Sequence, residues 1–198
     1  MMWGWALLTG CLALAVNGRW LAGIDHQMAA WMESLRSPEL DAAAAALTFF
    51  GSTPWTLLVA GIMAGWWMMH QRTAPLMTFL GAWALGLVLQ MALRLWVAQW
   101  RPDVVMPASP GFLARYSLAG FTSGHAFRSA FLYGWWARSL PQQRRWATAA
   151  AWGCGLLMLL VGATRIYLRR HWLTDVVGAW GLAALVLSAA SGFRRQAG

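Results

Sequence analysis

The stretch LMTFLGAWALGLVLQMALRLWV, residues 76–97, decides the fold. Its only charged residue is Arg94, close to the carboxyl end. An α-helix rises about 1.5 Å per residue, so about 20 apolar residues cross the roughly 30 Å hydrocarbon core of a bilayer. The stretch therefore predicts a transmembrane helix that carries a guanidinium group near the membrane surface.

Five further apolar runs lie at 2–17, 42–69, 126–139, 146–163 and 172–191. We expect an all-α polytopic membrane protein, a single domain over residues 1–198 with six transmembrane helices in a bundle. No basic residue precedes the first run, so we expect a retained helix and not a cleaved signal segment. In the second run Pro54 lacks a backbone N–H. We expect one kinked helix there, the alternative being a short approach followed by a span.

The composition excludes two classes of protein. Of the 198 residues, 60% are hydrophobic and 11% charged, whereas soluble domains carry about 25% charged residues. An ordinary cytosolic globule and a disordered chain are both excluded. Cys11 and Cys154 lie in apolar runs and are expected to be small core residues. The sixteen tryptophans cluster at the ends of the apolar runs, which predicts indole rings at headgroup level, among them Trp3, Trp5, Trp66, Trp67, Trp96, Trp100, Trp135, Trp136, Trp146 and Trp172.

An amphipathic segment lies between the first two runs. Its apolar residues recur at helical spacing, while its charged residues lie on other faces; the apolar set is Trp20, Ile24, Met28, Trp31 and Leu35, and the charged set is Asp25, Glu33 and Arg36. This pattern predicts one interfacial helix lying in the membrane surface. A packed helix outside the membrane is the alternative, and the pattern does not choose between them.

The net charge of +9 arises from fifteen basic residues, all arginine, against six acidic ones. Most arginines lie in short loops between apolar runs, so anionic lipid headgroups and phosphate groups are the expected partners, and nucleic acid is not. With the arginines of the clusters below set aside, the positive-inside rule places both termini in the cytoplasm. The sequence carries no signal for oligomeric state. The inner-side arginines are Arg72, Arg138, Arg144, Arg145, Arg194 and Arg195, against Arg19 and Arg36 opposite.

Polar and ionisable groups at membrane depth indicate function by default. Three clusters stand out: Arg94-x6-Arg101-Pro102, then Thr122-Ser123-Gly124-His125, then Arg165-x5-His171-x3-Asp175. In the six-span topology the first two share a loop, and the third returns to the same face two spans later. The sequence thus predicts one site on one side of the membrane.

The residue types in these clusters suit a phosphate. The guanidinium groups of Arg94, Arg101 and Arg165 offer planar donor forks. Ser123 and Gly124 precede an apolar run as at a helix N-terminus, where free N–H groups favour an anion.

The two histidines suit covalent catalysis. His171 and Asp175 share a helix face, so the carboxylate fixes one ring nitrogen and leaves the other free to attack. His125 remains as a proton donor for the leaving oxygen. No carboxylate cluster is present to hold magnesium, so arginines must neutralise the phosphoryl charge. The set predicts phosphoryl transfer through a phosphohistidine, with no metal and no cofactor.

Each cluster alone also has an ordinary structural explanation. The arginines of the first could contact lipid headgroups, Ser-Gly-His occurs in many loops, and a His–Asp pair one turn apart is often a structural hydrogen bond. For Arg169 and Arg170 we expect headgroup anchoring, with substrate contact as the alternative. The roles of Arg115 and Arg128 stay open between a loop or helix-start position and a substrate contact.

The three clusters resemble the signature of the type 2 phosphatidic acid phosphatase superfamily, Lys-x6-Arg-Pro, Pro-Ser-Gly-His and Ser-Arg-x5-His-x3-Asp. The spacing matches throughout, with departures at three residues: Arg94 replaces Lys, Thr122 replaces Pro and Thr164 replaces Ser. The first departure keeps the charge and the third keeps a hydroxyl. Thr122 is expected to loosen the turn before Ser123.

The resemblance implies a lipid phosphate or diphosphate phosphatase at the outer face of the bacterial inner membrane. It implies His171 as nucleophile, Asp175 as its partner and His125 as acid, with the phosphate held by Arg94, Arg101, Ser123, Gly124 and Arg165. The implied substrates are phosphatidylglycerophosphate, phosphatidic acid or undecaprenyl diphosphate. Two alternatives stay open: a phosphotransferase that passes the phosphoryl group to another lipid or lipid A, and a non-catalytic membrane lipid-binding protein.

Overall fold

The structure is a computed structural model that describes residues 2–97, 99–104, 111–141 and 143–196. The described residues form nine helices: α1 (Met2–Asn17), α2 (Ala22–Ser34), α3 (Pro38–Phe49), α4 (Thr53–Met69), α5 (Thr73–Trp96), α6 (Phe112–Leu118), α7 (Gly124–Ser139), α8 (Arg145–Tyr167) and α9 (Leu173–Gln196). In this part of the chain there is no strand, only an isolated bridge between Trp100 and Ala119. The predicted all-α class is confirmed.

Helices α7 and α9 form the centre of the bundle. Helix α7 packs against α8 and α9, and α9 also packs against α1 and α5. On α7 the large rings of Phe127, Phe131 and Trp135 recur every fourth residue and line one helix face. Phe131 and Trp135 contact the ring of Phe79 on α5. Phe127 stacks on Phe131, and Leu182 of α9 belongs to the same cluster. This aromatic core holds α5, α7 and α9 together at the bundle axis.

Two tryptophans and one cysteine differ from expectation. Trp67 and Trp135 are 7% and 2% exposed and belong to the aromatic core, so their rings face the protein interior and, contrary to the prediction, do not contact lipid headgroups. Their rings fill the space between α4, α5 and α7, where a large apolar side chain gains most from burial. Cys154 is buried as expected, but Cys11 is exposed on α1.

The count of six spans is not confirmed. Four helical segments of the described chain are long and apolar enough to cross a membrane: Pro38–Met69, Thr73–Trp96, Arg145–Tyr167 and Leu173–Ser191. A fifth is present if α1 and α2, bent by 86°, form one broken span. Helices α1 and α7 have 16 residues each. Because other helices surround α7, its surface does not need to match lipid.

The second apolar run contains a break. Helices α3 and α4 together form one candidate span of 32 residues, interrupted at 50–52. Ser52 caps α4, its Oγ accepting a hydrogen bond from the N–H of Trp55 at 3.4 Å, with Pro54 in the first turn. The expected continuous kinked helix is therefore two helices with a three-residue break, and this break lies against the site described below.

Helix α2 turns its apolar side outward. Ile24 and Trp31 are each more than half exposed, as is Trp20 just before the helix, whereas Asp25 is 3% exposed. The helix lies at 86° to α1. An outward apolar face and an inward carboxylate reverse the arrangement of an ordinary surface helix, and this geometry favours contact with lipid over water.

Candidate active site

The three sequence clusters lie at neighbouring helix ends. Arg94 is in the last turn of α5, His125 in the first turn of α7 and Arg165 in the last turn of α8. His171 lies in the turn between α8 and α9, and Asp175 is in the first turn of α9. Because α7 leads away from this end of the bundle and α8 returns to it, residues far apart in the chain share one region.

Two hydrogen bonds join the clusters directly. Arg94 Nη2 donates to the carbonyl oxygen of Thr122 at 3.0 Å, linking the first cluster to the second. The backbone N–H of Ser123 donates to the carbonyl oxygen of Asp175 at 3.1 Å, linking the second to the third. The structure therefore brings together residues of all three clusters, as the spacing predicted.

The histidine and the aspartate form a buried pair. His171 Nδ1 and Asp175 Oδ2 are 3.2 Å apart, and the side chains are 3% and 0% exposed. The N–H of Trp172 donates to the same Oδ2 at 3.0 Å and holds the carboxylate in place. A carboxylate beside Nδ1 favours the tautomer with its proton there, which leaves Nε2 with a free lone pair.

The surroundings of His171 keep its ring neutral. Burial, reinforced by the positive charges of Arg165, Arg101 and Arg94, lowers the pKa of His171 well below its ordinary value. A neutral imidazole is the form that can attack phosphorus. The same three guanidinium groups lie near enough to the ring to act on it electrostatically.

An anion cradle forms at the start of α7. Ser123 caps this helix and is fully buried, and its Oγ lies 3.5 Å from the N–H of Ala126. At Gly124 a Cβ would lie 3.0 Å from Arg128 Nη1 and 3.6 Å from Arg94 Nη2. The bare backbone of Gly124 thus lets two guanidinium groups approach a helix N-terminus, where free N–H groups and the helix dipole favour an anion.

Four arginine side chains at the site have a buried hydrogen-bond donor that no described residue satisfies. Within the described residues their buried Nε atoms have no hydrogen-bond partner; the four are Arg94, Arg101, Arg128 and Arg165. Arg165 is 9% exposed and donates through Nη1 to Thr48 Oγ1 at 2.9 Å, beside the break between α3 and α4. Buried donors without acceptors are costly, so a bound anion would stabilise this arrangement.

Gln90 is a supporting residue that the sequence analysis missed. It is 7% exposed, and its Nε2 lies 3.4 Å from the carbonyl oxygen and 3.3 Å from the Oγ1 of Thr122. Thr122 is fully buried, so the turn that was expected to be loose is held by Gln90 and Arg94. In the sequence, the signal for Gln90 was a polar amide side chain inside an apolar run.

Asp25 is a second supporting residue that was missed. Its Oδ1 accepts from the N–H of Thr174 at 2.9 Å, and its Oδ2 accepts from Thr174 Oγ1 at 2.7 Å and from Gln99 Nε2 at 3.0 Å. Thr174 immediately precedes Asp175, so α2 holds the start of α9 next to the His–Asp pair. The helical periodicity placed Asp25 on a different face from the apolar residues, but it did not indicate which face packs inward.

Arg169 and Arg170, next to His171 in the chain, each form an ion pair. Arg170 Nη1 and Asp103 Oδ2 are 2.6 Å apart, and Arg169 Nη1 and Glu33 Oε2 are 3.4 Å apart, both as exposed pairs. The Arg94 guanidinium lies 5.3 Å from the centre of the Tyr116 ring. The side chain of Arg115 and residues 105–110 lie outside the described part of the chain. Headgroup anchoring by Arg169 and Arg170 stays a prediction.

Carboxylates are few at this site. No group of three or more His, Cys, Asp or Glu side chains able to hold a metal ion occurs among the described residues. Guanidinium and backbone N–H groups are therefore the donors available there to an anion.

Comparisons with known proteins identify a family and similar structures for this chain. The family model of the PAP2 superfamily matches residues 75–197. Phosphatidylglycerophosphatase B of Bacillus subtilis is 24% identical over 186 residues, covering 92% of this chain and 89% of that protein. The crystal structure of a transmembrane PAP2 type phosphatidylglycerolphosphate phosphatase from Bacillus subtilis is similar with a TM-score of 0.81 at 22% identity, covering 98% of this chain and 96% of that one.

A second solved structure is related more distantly. LpxE of Aquifex aeolicus has a TM-score of 0.63 at 18% identity, covering 85% of this chain and 95% of that one. At these identities the structural likeness shows a shared fold.

Proposed function

This chain belongs to the PAP2 superfamily, and from that premise we propose that it is a membrane lipid phosphatase that works through a phosphohistidine. The family match confirms the predicted resemblance. The observation that carries the proposed mechanism is the buried pair of His171 and Asp175, which the hydrogen bond from Ser123 N–H to the Asp175 carbonyl oxygen joins to the arginine-lined start of α7.

In the first step, His171 Nε2 attacks phosphorus and a nitrogen–phosphorus bond forms. The bond from phosphorus to the lipid oxygen breaks, and His125 donates a proton to that oxygen. Asp175 stabilises the imidazolium that develops on His171. Arg94, Arg101 and Arg165, with the backbone at Ser123 and Gly124, neutralise the charge on the phosphoryl oxygens.

In the second step, water replaces the lipid alcohol. His125, now neutral, takes a proton from the water, whose oxygen attacks phosphorus. The nitrogen–phosphorus bond breaks, inorganic phosphate leaves, and both histidines regain their starting protonation states. If another lipid hydroxyl replaced water here, the same intermediate would give a phosphotransferase.

The substrate we propose is a lipid with a terminal phosphate or diphosphate. Phosphatidylglycerophosphate, phosphatidic acid and undecaprenyl diphosphate all place that group at the membrane surface, at the level of a site built from helix ends. A relative is named for the first of them. From the distribution of arginines we place the site on the periplasmic face, with both termini in the cytoplasm.

Purified protein in detergent, assayed with chelator present, tests the proposal. We expect phosphate release from at least one of the three lipids and abolished turnover in His171→Ala and His125→Ala. His70→Ala is the matched control, because His70 is exposed and its Nδ1 contacts the Trp66 carbonyl oxygen in α4. Absence of hydrolysis in folded wild-type protein, or full activity of His171→Ala, would contradict the proposal. Labelled lipid product in place of free phosphate would indicate the transferase.

A further inference from the structure

Arg128 has no role in the mechanism above, although it lies beside the residues that do. It is on α7, one turn after His125. The first and third clusters account for Arg94, Arg101 and Arg165, and none of the three clusters includes Arg128. A partly buried guanidinium group within a bundle is costly unless something pairs with it.

The contacts of Arg128 place it on the His125 side of the anion cradle. Its Nη2 donates to the carbonyl oxygen of Gly51 at 3.2 Å. A Cβ on Gly51 would lie 3.0 Å from the carbonyl oxygen of His125, so this turn packs directly against the start of α7. Its Nη1 lies beside Gly124, as does Nη2 of Arg94. Arg128 thus leaves Nη1 and the buried Nε available near both the cradle and His125.

The charge at this site exceeds what one phosphate supplies. Within the described residues, the salt bridges involve other arginines, so the four guanidinium groups of Arg94, Arg101, Arg128 and Arg165 have no carboxylate in direct contact. Two of them, Arg94 and Arg128, lie beside Gly124 in the cradle. A terminal phosphate ester carries only about 1.5 to 2 negative charges near neutral pH. A second phosphate would supply the charge that matches the fourth guanidinium.

We propose that Arg128 binds a second phosphate of the substrate, on the leaving-group side, and that the preferred substrate is a lipid diphosphate. This inference rests on the proposed function and narrows its substrate class. His125 donates the proton to the leaving oxygen, and in a diphosphate that oxygen belongs to the second phosphate. Arg128, one helical turn from His125, is placed to bind that group.

For a lipid diphosphate, the first chemical step transfers the terminal phosphoryl group to His171. His171 Nε2 forms a bond with the terminal phosphorus, and the bridging oxygen–phosphorus bond breaks. The electron pair stays on the bridging oxygen, so the lipid monophosphate departs, protonated by His125 or as its anion. Arg128 stabilises the negative charge that this leaving group gains, whereas an alcohol leaving group from a monophosphate gives Arg128 no phosphate to bind.

The competing explanation is purely structural: Arg128 ties α7 to the break between α3 and α4 through Gly51. A structural tie would affect all substrates equally, whereas a substrate contact changes their ratio. The measured quantity is therefore the ratio of kcat/KM for a polyprenyl diphosphate to kcat/KM for the matching polyprenyl monophosphate.

In wild-type protein we expect this ratio to favour the diphosphate, and in Arg128→Gln we expect it to fall about 10- to 100-fold, as for a lost charge-assisted hydrogen bond. Arg128→Lys should keep part of the preference, because the charge remains. Arg138→Gln, at the opposite end of the same helix, is the matched control and should leave the ratio within about twofold.

A second measurement needs no variant. Inorganic pyrophosphate should inhibit wild-type hydrolysis at a concentration about tenfold lower than inorganic phosphate does. An unchanged substrate ratio in Arg128→Gln, a wild-type preference for the monophosphate, or equal inhibition by the two anions would overturn the role of Arg128. Those outcomes leave hydrolysis itself intact, whereas failure of the proposed function would appear as no hydrolysis of either lipid.

Discussion

Gly120→Ala perturbs the buried His–Asp pair without replacing either residue of the pair. A Cβ at position 120 would lie 2.7 Å from Asp175 Oδ2 and 3.2 Å from both Cγ and Oδ1 of the same carboxyl group. Ordinary van der Waals contact begins at 3.4 Å, so the carboxyl group or the loop must move by roughly 0.7 Å. Asp175 is fully buried and therefore has little free space to move into.

Such a displacement acts on catalysis through geometry. The 3.2 Å separation of His171 Nδ1 and Asp175 Oδ2 is already long for a hydrogen bond, and the shift would break it. The imidazole would lose the partner that fixes its tautomer. Displacements near 1 Å cost up to about 100-fold in rate, so we expect kcat to fall about 30- to 100-fold. Overpacking of this kind costs roughly 1–3 kcal/mol of stability.

The assay is phosphate release from a lipid phosphate in detergent, with thermal unfolding followed in parallel. Gly81→Ala is the matched control, because a Cβ at Gly81 has no neighbour within 4 Å, and both its kcat and its Tm should stay near wild type. A folded Gly120→Ala protein with kcat within about threefold of wild type would refute the coupling between this loop and the His–Asp pair.

Three further predictions concern the supporting residues and the nucleophile. The Asp25→Ala protein should lose about 3 kcal/mol of unfolding free energy, since hydrogen bonds to a charged acceptor contribute about 1.5–3 kcal/mol each. Chemical denaturation measures this loss, and a loss no larger than that of the exposed control Glu33→Ala would contradict the prediction. Gln90→Leu should lower kcat about tenfold by freeing the turn at Thr122, and unchanged phosphate release would count against the support proposed for that turn. Because burial lowers the pKa of His171, its ring should stay neutral and able to attack as pH falls below the ordinary imidazole value of about 6.5. In ¹³C-histidine NMR spectra of the ligand-free protein, assigned with His171→Ala, a titration midpoint at or above that value would refute the effect.

The convergence of the three clusters could be predicted because it depends on chain direction alone. Arg94 ends one helix, His125 begins the next after a loop, and the chain then goes away and returns before Arg165 and His171. This argument holds although the described part of the chain has four or five candidate spans where six were predicted. Helix α7 needs only to lead away from the site, and its surface does not need to match the lipid. The spacing of four residues predicted His171 and Asp175 on one helix face, and this detail is wrong, because α9 begins at Leu173 and His171 lies in the turn before it. The two side chains nevertheless meet, with Nδ1 and Oδ2 3.2 Å apart.

The supporting residues could not be predicted because their positions depend on tertiary partners. Asp25 has the pattern of a polar residue on a surface helix, and only the approach of Thr174 from α9 makes its inward orientation favourable. Trp67 and Trp135 have the pattern of interfacial tryptophans, yet the space around Phe79 draws both rings inward. Local patterns record polarity and period, but not which neighbour covers a given face.

Trapping of the covalent intermediate tests the central claim most directly. Wild-type protein is mixed with lipid labelled in its terminal phosphate, quenched in denaturant within the first turnovers, and digested for mass spectrometry. The account predicts an acid-labile, alkali-stable phosphoryl group on the peptide that contains His171, and none in His171→Ala. Steady hydrolysis with no labelled protein, or a label on any other residue, would contradict it.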